Sequence, residues 1–125
     1  MTHFINGLWQ SGHGPMFESH NPSTSTTLWQ GQSANAEDVN AAFAAARAAF
    51  EPWADSSFDE RVGFGRRFAA VLKERSEALA LTIAREVGKP LWEARTEVAA
   101  MIGKIELSIS AYHERTGTRE TAQPF

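Results

Sequence analysis

The chain has 125 residues, of which 42% are apolar and 22% are charged, and its formal net charge is −3. That length suits one domain and is too short for a cofactor domain followed by a catalytic domain. The acidic balance argues against a nucleic-acid-binding protein, which would carry a basic face. The lack of cysteine excludes disulfides, thiolate metal sites and a thiol nucleophile from these residues.

The first residues lack the basic region and apolar run of a secretory signal. No apolar stretch approaches the length of a membrane span. We therefore expect no membrane partner, and a small chain without disulfides fits the reducing cytoplasm.

The composition changes once along the chain. Residues 1–33 are rich in Gly, Ser, Thr, Asn and aromatic side chains, which predicts a β-hairpin region. Residues 34–117 are rich in Ala, Leu, Glu and Arg, which predicts a helical region, and residues 118–125 form a polar tail. The expected fold class is an α+β segment, with N-terminal β-hairpins followed by about four α-helices.

Two hairpins are predicted in the first region. Asn6 and Gly7 separate two short apolar runs, and both residues tolerate the positive φ of a type I′ turn. The second pair of runs, residues 16–20 and 26–30, flanks a loop with Pro22, whose missing N–H cannot join a strand ladder. Hairpins this short need a partner surface to be stable in water.

The first helix is predicted from apolar side chains three or four residues apart, which form one face. The acids Glu37 and Asp38 suit the positive end of the helix dipole. Pro52 is expected to end this helix near Phe50, because the residue before a proline disfavours helical backbone. The apolar face comprises Val39, Phe43, Ala46, Phe50 and Trp53.

The second helix has a sharper start. Ser57 and Glu60 have the spacing of a capping box, in which each side chain accepts a hydrogen bond from the other residue's backbone amide. Gly63 and Gly65 weaken the first turns relative to alanine. We interpret these two glycines as a sign of close helix packing.

Two further helices follow. Ser76 is expected to cap the third helix, and Gly88 to end it. Pro90 falls at or near the first position of the fourth helix, where its missing N–H costs nothing. This helix should reach Arg115, which is roughly 25 residues or about 38 Å. A helix of that length normally packs against more protein than this chain offers.

Known catalytic patterns are missing from the sequence. No histidine pair has the i, i+4 spacing of a helical zinc site, and no Gly-x-Ser-x-Gly elbow occurs. The sequence Gly-His-Gly at residues 12–14 is not a dinucleotide-binding loop, since no buried strand precedes it. Residue chemistry alone therefore indicates no catalytic and no cofactor-binding residues.

Several segments, in order and spacing over residues 4–117, resemble the N-terminal part of the aldehyde dehydrogenase superfamily. These segments are residues 4–9 (FINGLW), 21–24 (NPST), 45–50 (AARAAF) with Trp53, and 85–90 (REVGKP). The junction and the last helix are most similar to the succinylglutamate semialdehyde dehydrogenases of bacterial arginine breakdown. The segments that carry this similarity are residues 88–94 (GKPLWEA), 96–98 (TEV), 101–102 (MI), 104–105 (KI) and 111–113 (AYH).

The resemblance implies an α/β fold of which this chain would be one partial, cofactor-side N-terminal domain. Members of the family oxidise an aldehyde with NAD through a cysteine nucleophile, and many are homo-oligomers. Their catalytic cysteine, catalytic glutamate and NAD-binding glycine loop match nothing here. The resemblance therefore implies NAD for the parent enzyme, and no complete catalytic apparatus in these 125 residues.

The resemblance also implies two sites. The last helix would border the substrate entrance, with Met101 nearest to it and with Glu97 and Lys104 beside it; the alternative is that Met101 fills the core. Some family members hold a monovalent cation near the Asn-Pro turn, and the corresponding positions here are Ser19, His20 and Glu86.

Lys104 and Arg95 could bind an anionic substrate, or they could be solvated surface charges. For the chain as a whole, one hypothesis is a dehydrogenase segment whose partner is the rest of the chain or another subunit. The other is a helical interaction module that binds a full-length dehydrogenase subunit or another protein.

Overall fold

The computed structural model describes residues 2–117, and the tail predicted over residues 118–125 lies outside the described residues. In the described part, two antiparallel hairpins precede four helices, which confirms the expected fold class. No helix in this part is both long and apolar enough to cross a membrane.

The first hairpin joins strand β1 (His3–Ile5) to strand β2 (Leu8–Gln10). Asn6 has φ 52° and Gly7 has φ 79°, so both central turn residues have the positive φ predicted for a type I′ turn. The rings of Phe4 and Trp9 face each other across the pair, with their centroids 5.3 Å apart.

The second hairpin joins strand β3 (Met16–His20) to strand β4 (Thr27–Gln32). Strand β4 runs two residues beyond the predicted end, because Met16 pairs with Gln32 at the open end of the ladder. The side chain of Asn21 accepts a hydrogen bond from the backbone amide of Ser23 at 2.9 Å. This Asx turn closes the loop that contains Pro22.

Helix α1 (Ala36–Asp55) begins at a capping box formed by Asn35 and Asp38. The prediction that Pro52 ends this helix is wrong, because the helix continues through Pro52. A proline removes one helical hydrogen bond and crowds the preceding turn, and we attribute the continuation of α1 to contacts of the residues that follow Pro52. The ring of Trp53 lies 5.6 Å from the ring of Phe64, and the Ser56 hydroxyl donates to the Trp53 carbonyl.

Helix α2 (Phe58–Glu74) begins at the predicted capping box of Ser57 and Glu60. Close packing is confirmed at Gly65, where an added Cβ would lie 3.3 Å from Ile105. The prediction of close packing is wrong at Gly63, where an added Cβ would meet only the end of the Arg67 side chain, at 3.5 Å.

Helix α3 (Ser76–Val87) starts one residue earlier than predicted. Ser76 is its first residue rather than its cap, and the cap position is Arg75, which makes no side-chain capping bond. Helix α2 leads almost directly into α3, because the Arg75 amide still bonds to the Val71 carbonyl of α2. Gly88 ends α3 as predicted, in the left-handed conformation with φ 75°.

Helix α4 (Leu91–Arg115) spans 25 residues directly after Pro90, as predicted, and packs against α2 and α3. Phe58 of α2 stacks on Tyr112 with ring centroids 4.0 Å apart. The buried apolar core of the described residues is small and lies where α3 and α4 meet. It consists of Ala80, Ala94 and Val98, and Leu72 of α2 is buried as well.

Candidate functional site

The candidate cation site lies where the second hairpin meets the end of α3. Ser19 of β3 donates its hydroxyl hydrogen to Oε1 of Glu86 at 2.9 Å. The His20 ring instead lies beside its own strand, with Nε2 3.1 Å from Oε2 of Glu18. The structure therefore brings two of the three predicted side chains together and directs the third elsewhere.

The Asn-Pro turn also packs against the Gly-Lys-Pro junction. A Cβ added at Gly88 would lie 2.6 Å from Cγ of Pro22, so only a residue without a side chain fits there. This contact holds the two polypeptide segments of the candidate cation site next to each other. It joins parts of the chain that are more than sixty residues apart in sequence.

An open groove of about 270 Å³ lies beside Glu86, between β4 and α3. Its lining includes Trp29, Thr82 and Arg85. Among residues 2–117, no three His, Asp or Glu side chains form a group able to hold a metal ion. The Ser19 hydroxyl and the Glu86 carboxylate, which lie together here, are oxygen ligands, and such ligands suit a hard cation better than a soft transition metal.

The three predicted entrance residues lie along one outward side of α4. Glu97, Met101 and Lys104 follow one another at spacings of four and three residues, which places them on neighbouring turns of one face. Met101 is 42% exposed, so it does not fill the core of the described segment. The core side of the helix is formed instead by Ala94 and Val98.

Lys89 is a neighbour of this face that the sequence prediction missed. Its ammonium group hydrogen-bonds the carboxylate of Glu97 and lies 3.4 Å from Oε1 of Glu93. The hydrogen bond with Glu97, followed by the interactions with Glu93, raises the pKa of Lys89 above its usual value. The sequence feature that could have predicted this pairing is the four-residue spacing of Lys89, Glu93 and Glu97. This spacing continues across Pro90 into α4.

The structure also distinguishes between the two candidate anion ligands. Arg95 is held by both carboxylate oxygens of Glu77 in α3, at 3.0 and 2.6 Å. This two-point pairing satisfies the guanidinium group and raises the pKa of Arg95. Lys104 has no acidic partner among residues 2–117.

Large apolar side chains are exposed over much of the described surface. Phe43 is 74% exposed, and about half of each further large apolar side chain on this face of α1 is exposed, namely Val39, Phe50 and Trp53. The contact between Trp53 and Phe64 continues this surface onto α2. Soluble monomers rarely leave apolar patches of this extent uncovered. We call this surface the aromatic face; it comprises Val39, Phe43, Phe50, Trp53, Phe64 and Phe68.

The sequence matches the aldehyde dehydrogenase family model over residues 9–124. It is 56% identical over 119 residues to an N-succinylglutamate 5-semialdehyde dehydrogenase of Paraburkholderia xenovorans, covering 95% of this chain and 24% of that protein. It is 59% identical over 116 residues to a protein of the same name from Burkholderia vietnamiensis, covering 93% of this chain and 24% of that protein.

The fold is similar to that of known structures as well. A crystal structure of an aldehyde dehydrogenase from Bartonella henselae superposes with a TM-score of 0.87 at 29% sequence identity, over 96% of this chain and 26% of that one. The chain thus spans about a quarter of the length of the relatives that it matches.

Proposed function

The chain belongs to the aldehyde dehydrogenase family, and from that membership we propose that it forms the N-terminal segment of an NAD-dependent enzyme. The proposed reaction is oxidation of N-succinylglutamate 5-semialdehyde to N-succinylglutamate, a step of arginine catabolism. The identity of 56–59% over nearly the whole chain to relatives of that name carries this proposal. Homologues in the family use NAD or NADP, and we propose NAD for the parent enzyme.

The covalent chemistry must come from other residues. The 125 residues contain no cysteine, so they cannot supply the thiolate that attacks the aldehyde carbon. The described residues also do not fit the cofactor, because they contain no glycine-rich turn between a buried strand and a helix. We therefore assign to this segment no catalytic residue and no contact with NAD.

We assign to α4 the border of the substrate entrance, with Met101 nearest to it and with Glu97 and Lys104 beside it. The position of Met101 on the outward side of α4, away from the buried Ala94 and Val98, supports this proposal. We likewise propose a monovalent cation between the second hairpin and α3, at Ser19, Glu86 and the backbone of His20. The 2.9 Å contact between Ser19 and Glu86 supports that position.

The proposed partner is the remainder of a dehydrogenase chain, or another subunit, which would cover the aromatic face. The support is the small core and the exposure of Phe43 and Trp53. Residues 1–33 and 34–117 would then be parts of one cofactor-side domain. We further propose a homo-oligomeric parent enzyme in the cytoplasm, with no nucleic-acid or membrane partner.

The exposed aromatic face also favours a second candidate function. A helical interaction module would use the same face to bind an intact dehydrogenase subunit or a different protein. The two functions predict different partners, one incomplete and the other intact. A segment replaces a part that the partner lacks, whereas a module adds to a partner that is complete.

A binding experiment distinguishes these functions. The purified chain is mixed with the Paraburkholderia xenovorans relative in two forms, intact and lacking its matched first quarter, and complexes are detected by sedimentation velocity. The segment proposal predicts binding to the shortened form only, because the intact form already covers the corresponding surface. Equal binding to both forms would favour the module, and binding to neither would contradict both functions.

A further inference from the structure

We propose that Lys89 and Lys104 make the outward face of α4 selective for aldehydes that carry carboxylate groups. Lys104 would attract a carboxylate of the substrate, and Lys89 would neutralise acids that would otherwise repel it. This inference rests on the proposed function, since it requires α4 to border the substrate entrance. Lys104 would determine specificity, and Lys89 would be a positioning residue.

The acids near the start of α4 are partly neutralised by one lysine. Lys89 is mostly covered, with 17% of its side chain exposed, and it contacts both Glu93 and Glu97. Glu93 also lies in the first turn of α4, where the positive end of the helix dipole offsets its charge. The two carboxylates therefore present less negative charge to an approaching anion than their sequence suggests.

The unpaired positive charge nearest to Met101 on this face is that of Lys104. It lies one turn beyond Met101, is exposed, and has no acidic partner in the described part of the chain. Arg95, the other candidate, is held by Glu77 on the opposite flank of the helix. Lys104 is thus the accessible cation closest to the proposed entrance residue, and Arg115 lies on the same face about three turns further along α4.

This arrangement matches a doubly charged substrate. N-succinylglutamate 5-semialdehyde carries two carboxylates, and an unpaired lysine close to its path would attract it. The ammonium group of lysine is a point charge that does not require one fixed ligand geometry. A neutral aldehyde gains nothing from such a charge. The predicted effect is therefore confined to the KM for acidic aldehydes.

The test uses a chimera in which residues 1–125 of this chain precede the part of the Paraburkholderia xenovorans relative that follows its matched region. The substrates are N-succinylglutamate 5-semialdehyde and hexanal, a neutral aldehyde. Lys104→Gln should raise the KM for the acidic aldehyde about fivefold, the size expected for one exposed charge pair, and leave kcat and both constants for hexanal unchanged. Lys104→Arg should restore the original KM.

Lys89→Met should raise the same KM, because Glu97 then becomes an unpaired negative charge. Adding Glu97→Gln to Lys89→Met should restore it, which loss of structure alone would not allow. Lys73→Gln on α2 is the matched control, since it removes one exposed charge away from this face. Both KM effects should shrink at high salt.

The inference is overturned if Lys104→Gln and Lys73→Gln act alike, or if Lys104→Gln changes the KM for both aldehydes equally. A folded chimera that oxidises neither aldehyde contradicts the proposed function itself, and this inference is overturned with it. Oxidation of both aldehydes with no effect of Lys104→Gln overturns only the inference.

Discussion

The imidazole nitrogen Nδ1 of His13 lies 2.7 Å from Oδ1 of Asp38, and the backbone amide of His13 donates to Oδ2 at 2.9 Å. Asp38 also accepts a hydrogen bond from the amide of Asn35, at 3.0 Å. One nearly buried carboxylate therefore caps α1 and fastens the loop between β2 and β3 to that helix.

This arrangement predicts acid-sensitive stability. The hydrogen bonds from Asn35 and His13 lower the pKa of Asp38 from 3.8 to about 2. Since the folded pKa lies below the unfolded one, the stabilisation is complete above about pH 4 and is lost as the pH falls towards 2. In urea denaturation between pH 2 and 7, the free energy of unfolding should fall more steeply below pH 4 for the wild type than for Asp38→Asn. Equal slopes would show that Asp38 makes no such contribution.

Gly88→Ala should destabilise the chain by about 1–3 kcal/mol, because Gly88 has a positive φ and its Cβ would strike Pro22. Gly103→Ala is the matched control, since a Cβ there meets nothing within 4 Å. Helix propensity should make that variant more stable by up to about 1 kcal/mol. Thermal denaturation of both variants checks this contrast. A Gly88→Ala variant as stable as the wild type would argue against the contact between the Asn-Pro turn and the Gly-Lys-Pro junction.

Ser57→Ala should lower the free energy of unfolding by about 1 kcal/mol, because it removes the side chain that accepts from the amide of Glu60 at 3.2 Å. Ser110→Ala is the comparison, since Ser110 lies exposed within α4 and alanine is a better helix former. Chemical denaturation should therefore show opposite signs for the two variants. Equal losses would mean that the capping box does not stabilise α2.

The aromatic face is expected to serve association rather than the stability of the segment. Replacing Phe43 and Phe50 by serine should leave the free energy of unfolding within about 0.5 kcal/mol of the wild type, because both rings are largely exposed. The same change should abolish binding to the shortened Paraburkholderia xenovorans relative. Val98→Ala is the opposite control, since Val98 is 1% exposed and its truncation should cost about 1–3 kcal/mol. A large loss of stability from the serine variant would contradict an uncovered face.

Local rules predicted the elements well where each signal involved few neighbouring residues. The Asn6-Gly7 turn, the Ser57 capping box and the Gly88 stop each depend on backbone geometry within a few positions. Pro52 misled the prediction because the contact between Trp53 and Phe64 is tertiary and outside any local pattern. The same reason applies to Ser76, since the continuity of α2 and α3 determines where the cap falls.

The candidate sites show the same difference between local signals and long-range contacts. The family resemblance named Glu97, Met101 and Lys104, but it could not tell which cations of α4 are paired. Glu77 pairs with Arg95 from eighteen residues away, and Lys89 reaches Glu97 across a proline. Ser19 and Glu86 were named through family resemblance, and their contact joins residues 67 positions apart. Long-range pairing of this kind depends on the packing of whole elements.

The measurement that tests the account most directly is NADH formation by the chimera with N-succinylglutamate 5-semialdehyde. If this chain is the N-terminal segment of such an enzyme, the chimera should form NADH at a rate close to that of the Paraburkholderia xenovorans relative. The 125-residue chain by itself should form none, because it contains no cysteine. NADH formation by the chain alone, or a folded and soluble chimera that forms no NADH, would contradict the account.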